Sequence, residues 1–83
     1  MNTWEKQDIN HSQKIDQVYY NEAEKTMIVR YKSNQKYYAY KGAGRWMYDE
    51  IFNDGNRVGK KTDKHFPFLD SLGIVDPASL PKV

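Results

Sequence analysis

The sequence predicts an α+β domain: a three-stranded antiparallel β-meander packed against one main helix, with a second short helix near the C-terminus. Three observations carry this expectation. Met27, Val29 and Tyr31 alternate with Ile28, Arg30 and Lys32, the period-two pattern of a half-buried strand. The polar clusters Asn21-Glu22-Ala23-Glu24-Lys25 and Ser33-Asn34-Gln35-Lys36 bracket that run as turns. Beyond the glycine break Gly42-Ala43-Gly44 the spacing changes, and Met47, Tyr48, Ile51 and Phe52 fall at i, i+1, i+4 and i+5, which builds one apolar face of a helix.

Each element then follows in order. Residues 1–13 form a polar arm whose large apolar groups are Trp4 and Ile9, expected to dock on the body or on a partner chain. Residues 14–20, rich in Ile, Val and Tyr, read as the first strand, residues 26–32 as the second and residues 37–41 as the third. In the third, Tyr38 and Tyr40 share one face while Tyr37, Ala39 and Lys41 share the other. The first pair is expected in the core beneath the helix, and Tyr37 is the better exposed ring. The helix covers residues 45–53 and stops at Asp54-Gly55-Asn56, with Gly55 as its left-handed cap. Residues 57–65 read as a basic, glycine-containing loop. Residues 66–72 read as the second helix, with Pro67 in its first turn and Gly73 at its end. The two prolines of residues 76–83 predict an irregular tail with one turn around residues 78–80. The expected organisation is an arm (1–13), an α+β body (14–75) and a tail (76–83).

Composition bounds the function. A chain of 83 residues makes one domain, and at this size folding buries only roughly 60–65% of the unfolded chain's surface. Seven Tyr, three Phe and two Trp supply much of such a core and equally make stacking surfaces for bases. The absence of cysteine removes disulfides, thiolate metal sites and a cysteine nucleophile together, and points to a reducing, cytoplasmic setting. Residues 1–8 lack the apolar stretch of a signal peptide, and no apolar run approaches the ~20 residues that span a bilayer. His11 and His65 stand alone, without ligand spacing, and no Ser, Asp and His set argues for a triad. The reading is therefore not an enzyme, with no catalytic residues, no metal and no cofactor.

Charge is uneven along the chain. Residues 1–24 carry −3, residues 25–64 carry +6 and residues 65–83 carry −1, a basic body between acidic ends. Such a body suits anionic partners, or serves as a solvated surface. Gly55-x-x-x-Gly59-Lys60-Lys61-Thr62 departs from the P-loop pattern, which needs four residues between its glycines and a Ser or Thr directly after the lysine. Its glycines and the cations Arg57, Lys60, Lys61 and Lys64 can still surround a phosphate. Arg45 and Trp46 open the predicted helix, where a guanidinium beside an indole can grip phosphate and stack a base. Together with Tyr37 these are the candidate ligand-binding residues, and residues 42–46 and 57–61 are the expected walls of a pocket.

Ser12-x-x-Ile15-x-x-Val18-x-Tyr20-Asn21, then Met27-x-Val29-x-Tyr31, Tyr38-Ala39-Tyr40 and Tyr48-x-x-Ile51, resemble the KTSC domain. That family is named for its occurrence at the C-terminus of some lysyl-tRNA synthetases and also occurs as a small stand-alone bacterial or phage protein. The resemblance covers roughly residues 12–68. Where the family has Val-Pro between its third strand and its helix, this chain has Gly42-Ala43-Gly44, and the stretch after the helix is richer in glycine and lysine. The resemblance implies two short strands, a Tyr-x-Tyr strand and a helix, with RNA as the suggested ligand.

These readings converge on a non-enzymatic module that binds a phosphate-bearing ligand, either a small nucleotide (a cyclic nucleotide included) or RNA. Homo-oligomerisation is expected, because one small domain offers little concave surface. One form of this is a phage anti-defence protein that sequesters a host nucleotide signal. The alternative is a protein-interaction adaptor that uses the Trp4/Ile9 arm and the segment carrying Leu72, Ile74, Val75 and Leu80.

Overall fold

The computed structural model describes residues 4–10, 12–53 and 57–82. Its frame is a single five-stranded sheet in which every neighbour is antiparallel and the strand order follows the chain, β1-β2-β3-β4-β5. The strands are β1 (Trp4–Asp8), β2 (Ile15–Asn21), β3 (Thr26–Tyr31), β4 (Tyr37–Lys41) and β5 (Asp70–Val75). Two helices, α1 (Arg45–Phe52) and α2 (Val58–His65), are inserted between β4 and β5.

The expected meander of three strands is present as β2, β3 and β4, but the strand count is corrected to five by one strand on either side. The segment expected to be a loose arm supplies β1, paired with β2 from Trp4↔Asn21 to Asp8↔Gln17. Its alternation was hidden because β1 is an edge strand whose inward positions are polar: Gln7 accepts a hydrogen bond from the Tyr48 hydroxyl (3.0 Å), and Glu5 holds Arg45. The expected helix over 66–72 is instead a 3₁₀ turn, Phe66–Phe68, followed by β5. Gly73, at φ +86°, lies beside an irregularity in the β4–β5 register that breaks the period-two pattern. The expected basic loop over 57–65 is α2. It buries Val58, Thr62 and His65, a thin i, i+4, i+7 stripe holding one aliphatic residue. The expected cap, Gly55, lies outside the described residues.

The helices cover one face of the sheet. Ile15, Val18, Tyr20, Met27 and Val29 from the strands meet Met47, Tyr48, Ile51 and Phe52 of α1 and Val58 of α2, with Ile9 closing the core from the β1–β2 connection. Tyr38 and Tyr40 pack at the margin of this core, half-buried, on the face the alternation predicted. Tyr20 is fully buried. Its ring stacks on Tyr48 (4.3 Å between centroids, 9° between planes), and its hydroxyl donates to the Ala43 carbonyl at 2.9 Å. The opposite face carries a smaller cluster, Tyr19, Ile28 and Ala39, over which Trp4, Tyr37, Val75 and Leu80 pack, so the C-terminal tail folds back onto the sheet.

Two consequences follow for stability. Tyr20→Phe keeps the stacked ring but strands the buried Ala43 carbonyl, and is expected to cost about 1–3 kcal/mol in a denaturant titration; a change near zero would mean that this hydroxyl does not hold the turn. Burial, with the nearby Glu5 carboxylate, pushes the Tyr48 phenol up from 10.0 to about 12. Because the folded form holds this proton more tightly than the unfolded chain does, the contribution is intact below pH 10 and is lost as the pH rises from 10 to about 12. The melting temperature should fall across that window, and less steeply in Tyr48→Phe.

Candidate functional site

The helices leave a cleft where α2 begins against the start of β2. It has a volume of about 430 Å³ and is lined by Ser12, Lys14, Ser33, Arg57, Gly59 and Lys60 among others. Several local features build it. Arg57 takes the left-handed conformation (φ 58°, ψ 34°) at the N-cap of α2, and the helix turns away from there. Among the described residues no side chain caps α2, and its first turn holds no acid. Its leading N–H groups therefore add the positive end of the helix dipole to the cleft. On the far wall the Ser12 hydroxyl accepts from the amides of Lys14 (3.1 Å) and Ile15 (3.3 Å), and the Ser12 carbonyl accepts from Lys32 Nζ. These bonds hold the segment entering β2. Gly59 faces the Lys14 side chain, and a Cβ placed there would meet Lys14 Cβ at 3.6 Å, an ordinary contact distance.

The Lys14 ammonium pairs with Asp63 on the next turn of α2. Both groups are partly solvated (37% and 69% exposed), so the pair is a weak and exchangeable link. Lys14 thus lines the cleft with its stem next to Gly59, while its ammonium is tethered to Asp63. What the arrangement can do chemically is bind an anion: ammonium and guanidinium groups, hydroxyls and helix amides converge, and all of them can donate. Among the described residues no group of three His, Asp or Glu side chains is placed to hold a metal ion.

The structure separates the residues nominated from sequence. Arg57 and Lys60 line the cleft. Lys61 is half-buried on α2, and Lys64 is exposed one turn beyond Lys60. Arg45 faces elsewhere, held by Glu5 and by Glu22 (2.6 Å), with its guanidinium over the Tyr20 and Tyr48 rings at 5.3 and 5.6 Å. Trp46 is 65% exposed and meets His65 edge-on at 5.9 Å. Tyr37 is half-buried on the opposite sheet face, where its hydroxyl donates to Gln17 (3.0 Å) and Arg30 lies over its ring. The second wall of the cleft is therefore formed by residues 12–14 and Ser33, not by 42–46. The reason is topological: the amides of Gly42 and Ala43 donate to the Lys25 carbonyl in the β2–β3 turn, at the end of the sheet opposite residues 12–14 and Ser33. Ser12, Lys14 and Ser33 were missed because each precedes or follows a strand as an ordinary polar residue, and only the register brings them to α2.

If Lys14 serves the cleft, Asp63 competes with the anion for it. Asp63→Asn should strengthen the binding of inorganic phosphate a few-fold in a calorimetric titration, with little loss of stability; weaker binding in this variant would show that the carboxylate positions Lys14 instead.

No helix among the described residues is long and apolar enough to cross a membrane. No family model matches the chain, nor does any curated protein or solved structure.

Proposed function

We propose that this protein is a non-enzymatic binding module for a phosphate-bearing ligand, a small nucleotide or RNA, held in the cleft at the start of α2. The observation that carries the reading is the convergence of Lys14, Arg57 and Lys60 on one concavity with the first turn of α2, which no described side chain caps. Helix amides suit phosphate oxygens because they present several donors at fixed angles, and the cations supply the opposite charge. The cleft volume, about 430 Å³, falls in the range of about 300–1,000 Å³ typical of small-molecule sites. The resemblance to the KTSC domain points towards RNA, and sequestration of a nucleotide signal by a phage protein is one form the same chemistry would take.

A second reading, the protein-interaction adaptor, draws support from one feature. Phe68, Leu72 and Ile74 are 85%, 57% and 61% exposed beside the β5 edge, where unpaired backbone groups and apolar side chains suit a partner strand. This reading predicts binding that is insensitive to phosphate and to salt.

The test is a thermal-shift screen against mononucleotides, cyclic dinucleotides, ADP-ribose-type nucleotides and short single-stranded RNAs at low and moderate salt. A ligand of the folded state raises the melting temperature. With the best of them, the Arg57→Ala/Lys60→Ala double variant should bind at least about tenfold more weakly, the loss of a charge-assisted contact or more, while melting near the wild type because both side chains lie at the surface. Unchanged affinity would remove the cleft from the binding site.

A further inference from the structure

A second hollow adjoins the cleft, and Lys14 lines both. It measures about 320 Å³ and differs in chemistry: its walls include the rings of Tyr31, Tyr40 and Phe66, with Asp63 and Ser71. We infer that the ligand is a nucleoside phosphate unit, its phosphate in the cationic cleft and its base in this aromatic hollow, with the Lys14–Asp63 pair between them. The inference rests on the phosphate reading above and adds a second subsite, for the base, to the same site.

The two hollows complement the two parts of such a unit. Lys14, Arg57, Lys60 and the start of α2 give the first cleft its donors, set among apolar side-chain surface. The second hollow offers what a base edge needs, namely acceptors and donors beside flat apolar surface. The Tyr31 and Tyr40 hydroxyls lie 3.0 Å apart. Whichever of them donates in that bond, the other retains a hydrogen for a third group, and lone pairs remain on both oxygens. Burial, then the bond with Tyr40, holds the Tyr31 hydroxyl well above the usual tyrosine range, so this phenol keeps its proton for that role. Asp63 adds a carboxylate acceptor suited to ring or exocyclic N–H groups. Phe66, itself buried, leans on Tyr40 (4.4 Å between centroids, 33° between planes) and fixes the ring that forms the wall. Asp63 turns towards Lys14 and also lines the hollow. A phosphate taking over Lys14 would free this carboxylate for the base, so the two halves would fill together. A ligand consisting of phosphate alone would leave the hollow unused.

Such a unit exists free, as a mononucleotide, or within a single strand, and the experiment separates these sources. Calorimetric titrations of the full chain with ribose 5-phosphate, AMP, UMP and a short single-stranded RNA are run on the wild type and on Tyr40→Phe, which keeps the ring and removes one hydroxyl. The expected result is that at least one mononucleotide binds about tenfold or more tightly than ribose 5-phosphate, and that Tyr40→Phe erases most of this advantage. RNA binding tighter than the mononucleotide, with the same loss in the variant, assigns the unit to a strand; equal affinity assigns it to a free nucleotide. Both results support the inference. Ribose 5-phosphate binding as tightly as every mononucleotide overturns it and leaves the phosphate reading standing. If no compound binds, the phosphate reading falls and the inference falls with it. The comparison among ligands on the wild type decides the matter even if Tyr40→Phe folds poorly.

Discussion

The buried phenol of Tyr20 joins three parts of the molecule that the chain visits separately. It sits on β2, stacks on Tyr48 of α1 and donates to the carbonyl of Ala43 in the connection leading into that helix. A fully buried hydroxyl without a partner would be costly, so the backbone at 43 has to lie where the oxygen can receive it. The Lys25 carbonyl meets the same stretch from the β2–β3 turn, accepting from the amides of Gly42 and Ala43 at 2.8 and 2.9 Å. The left-handed Gly42 (φ 101°) makes that approach possible. The start of α1 is thereby fixed over the sheet, and the path available to α2 and β5 follows from it.

Electrostatics then divides the cations into two populations. Arg45 lies over the Tyr20–Tyr48 stack and answers to Glu5 and Glu22, so its charge is spent on joining β1 and the β2–β3 turn to α1. Arg30 likewise faces Asp16 across the opposite face of the sheet, at 3.4 Å. Arg57 and Lys60 instead stand at the start of α2, with the helix dipole adding to their charge. The basic middle of the sequence is thus not one surface: part of it holds the fold and part of it lines the cleft.

The two hollows flanking Lys14 give the proposed ligand its shape. One is cationic and the other aromatic, and a single weak ion pair stands between them. The exposed apolar residues Phe68, Leu72 and Ile74 lie along the β5 edge, and Ser71 of the same strand lines the aromatic hollow.

The central β-meander and α1 were legible in the sequence because their side chains alternate or recur with one face uniformly apolar, and such periods reflect local geometry. The Met27–Tyr31 alternation and the Met47–Phe52 stripe are of this kind, and so is the placement of Tyr38 and Tyr40 on the core side. Outside them the local signal fails for identifiable reasons. β1 has polar residues on both faces, β5 contains a left-handed glycine, and α2 buries a threonine and a histidine where a stronger apolar stripe would have announced a helix. The cations Arg57 and Lys60 could be nominated from sequence because charge beside glycine is a local feature. Their partners could not. Lys14 and Asp63 stand 49 positions apart, and Ser12 and Ser33 meet α2 only because the β2–β3 register carries both to one end of the sheet. Local sequence is enough to say which segments bury an apolar face and where the positive charge is concentrated. Which of those charges are neutralised within the fold and which face a cleft depends on pairing across strands whose register is set by the whole sheet, and no local pattern carries that.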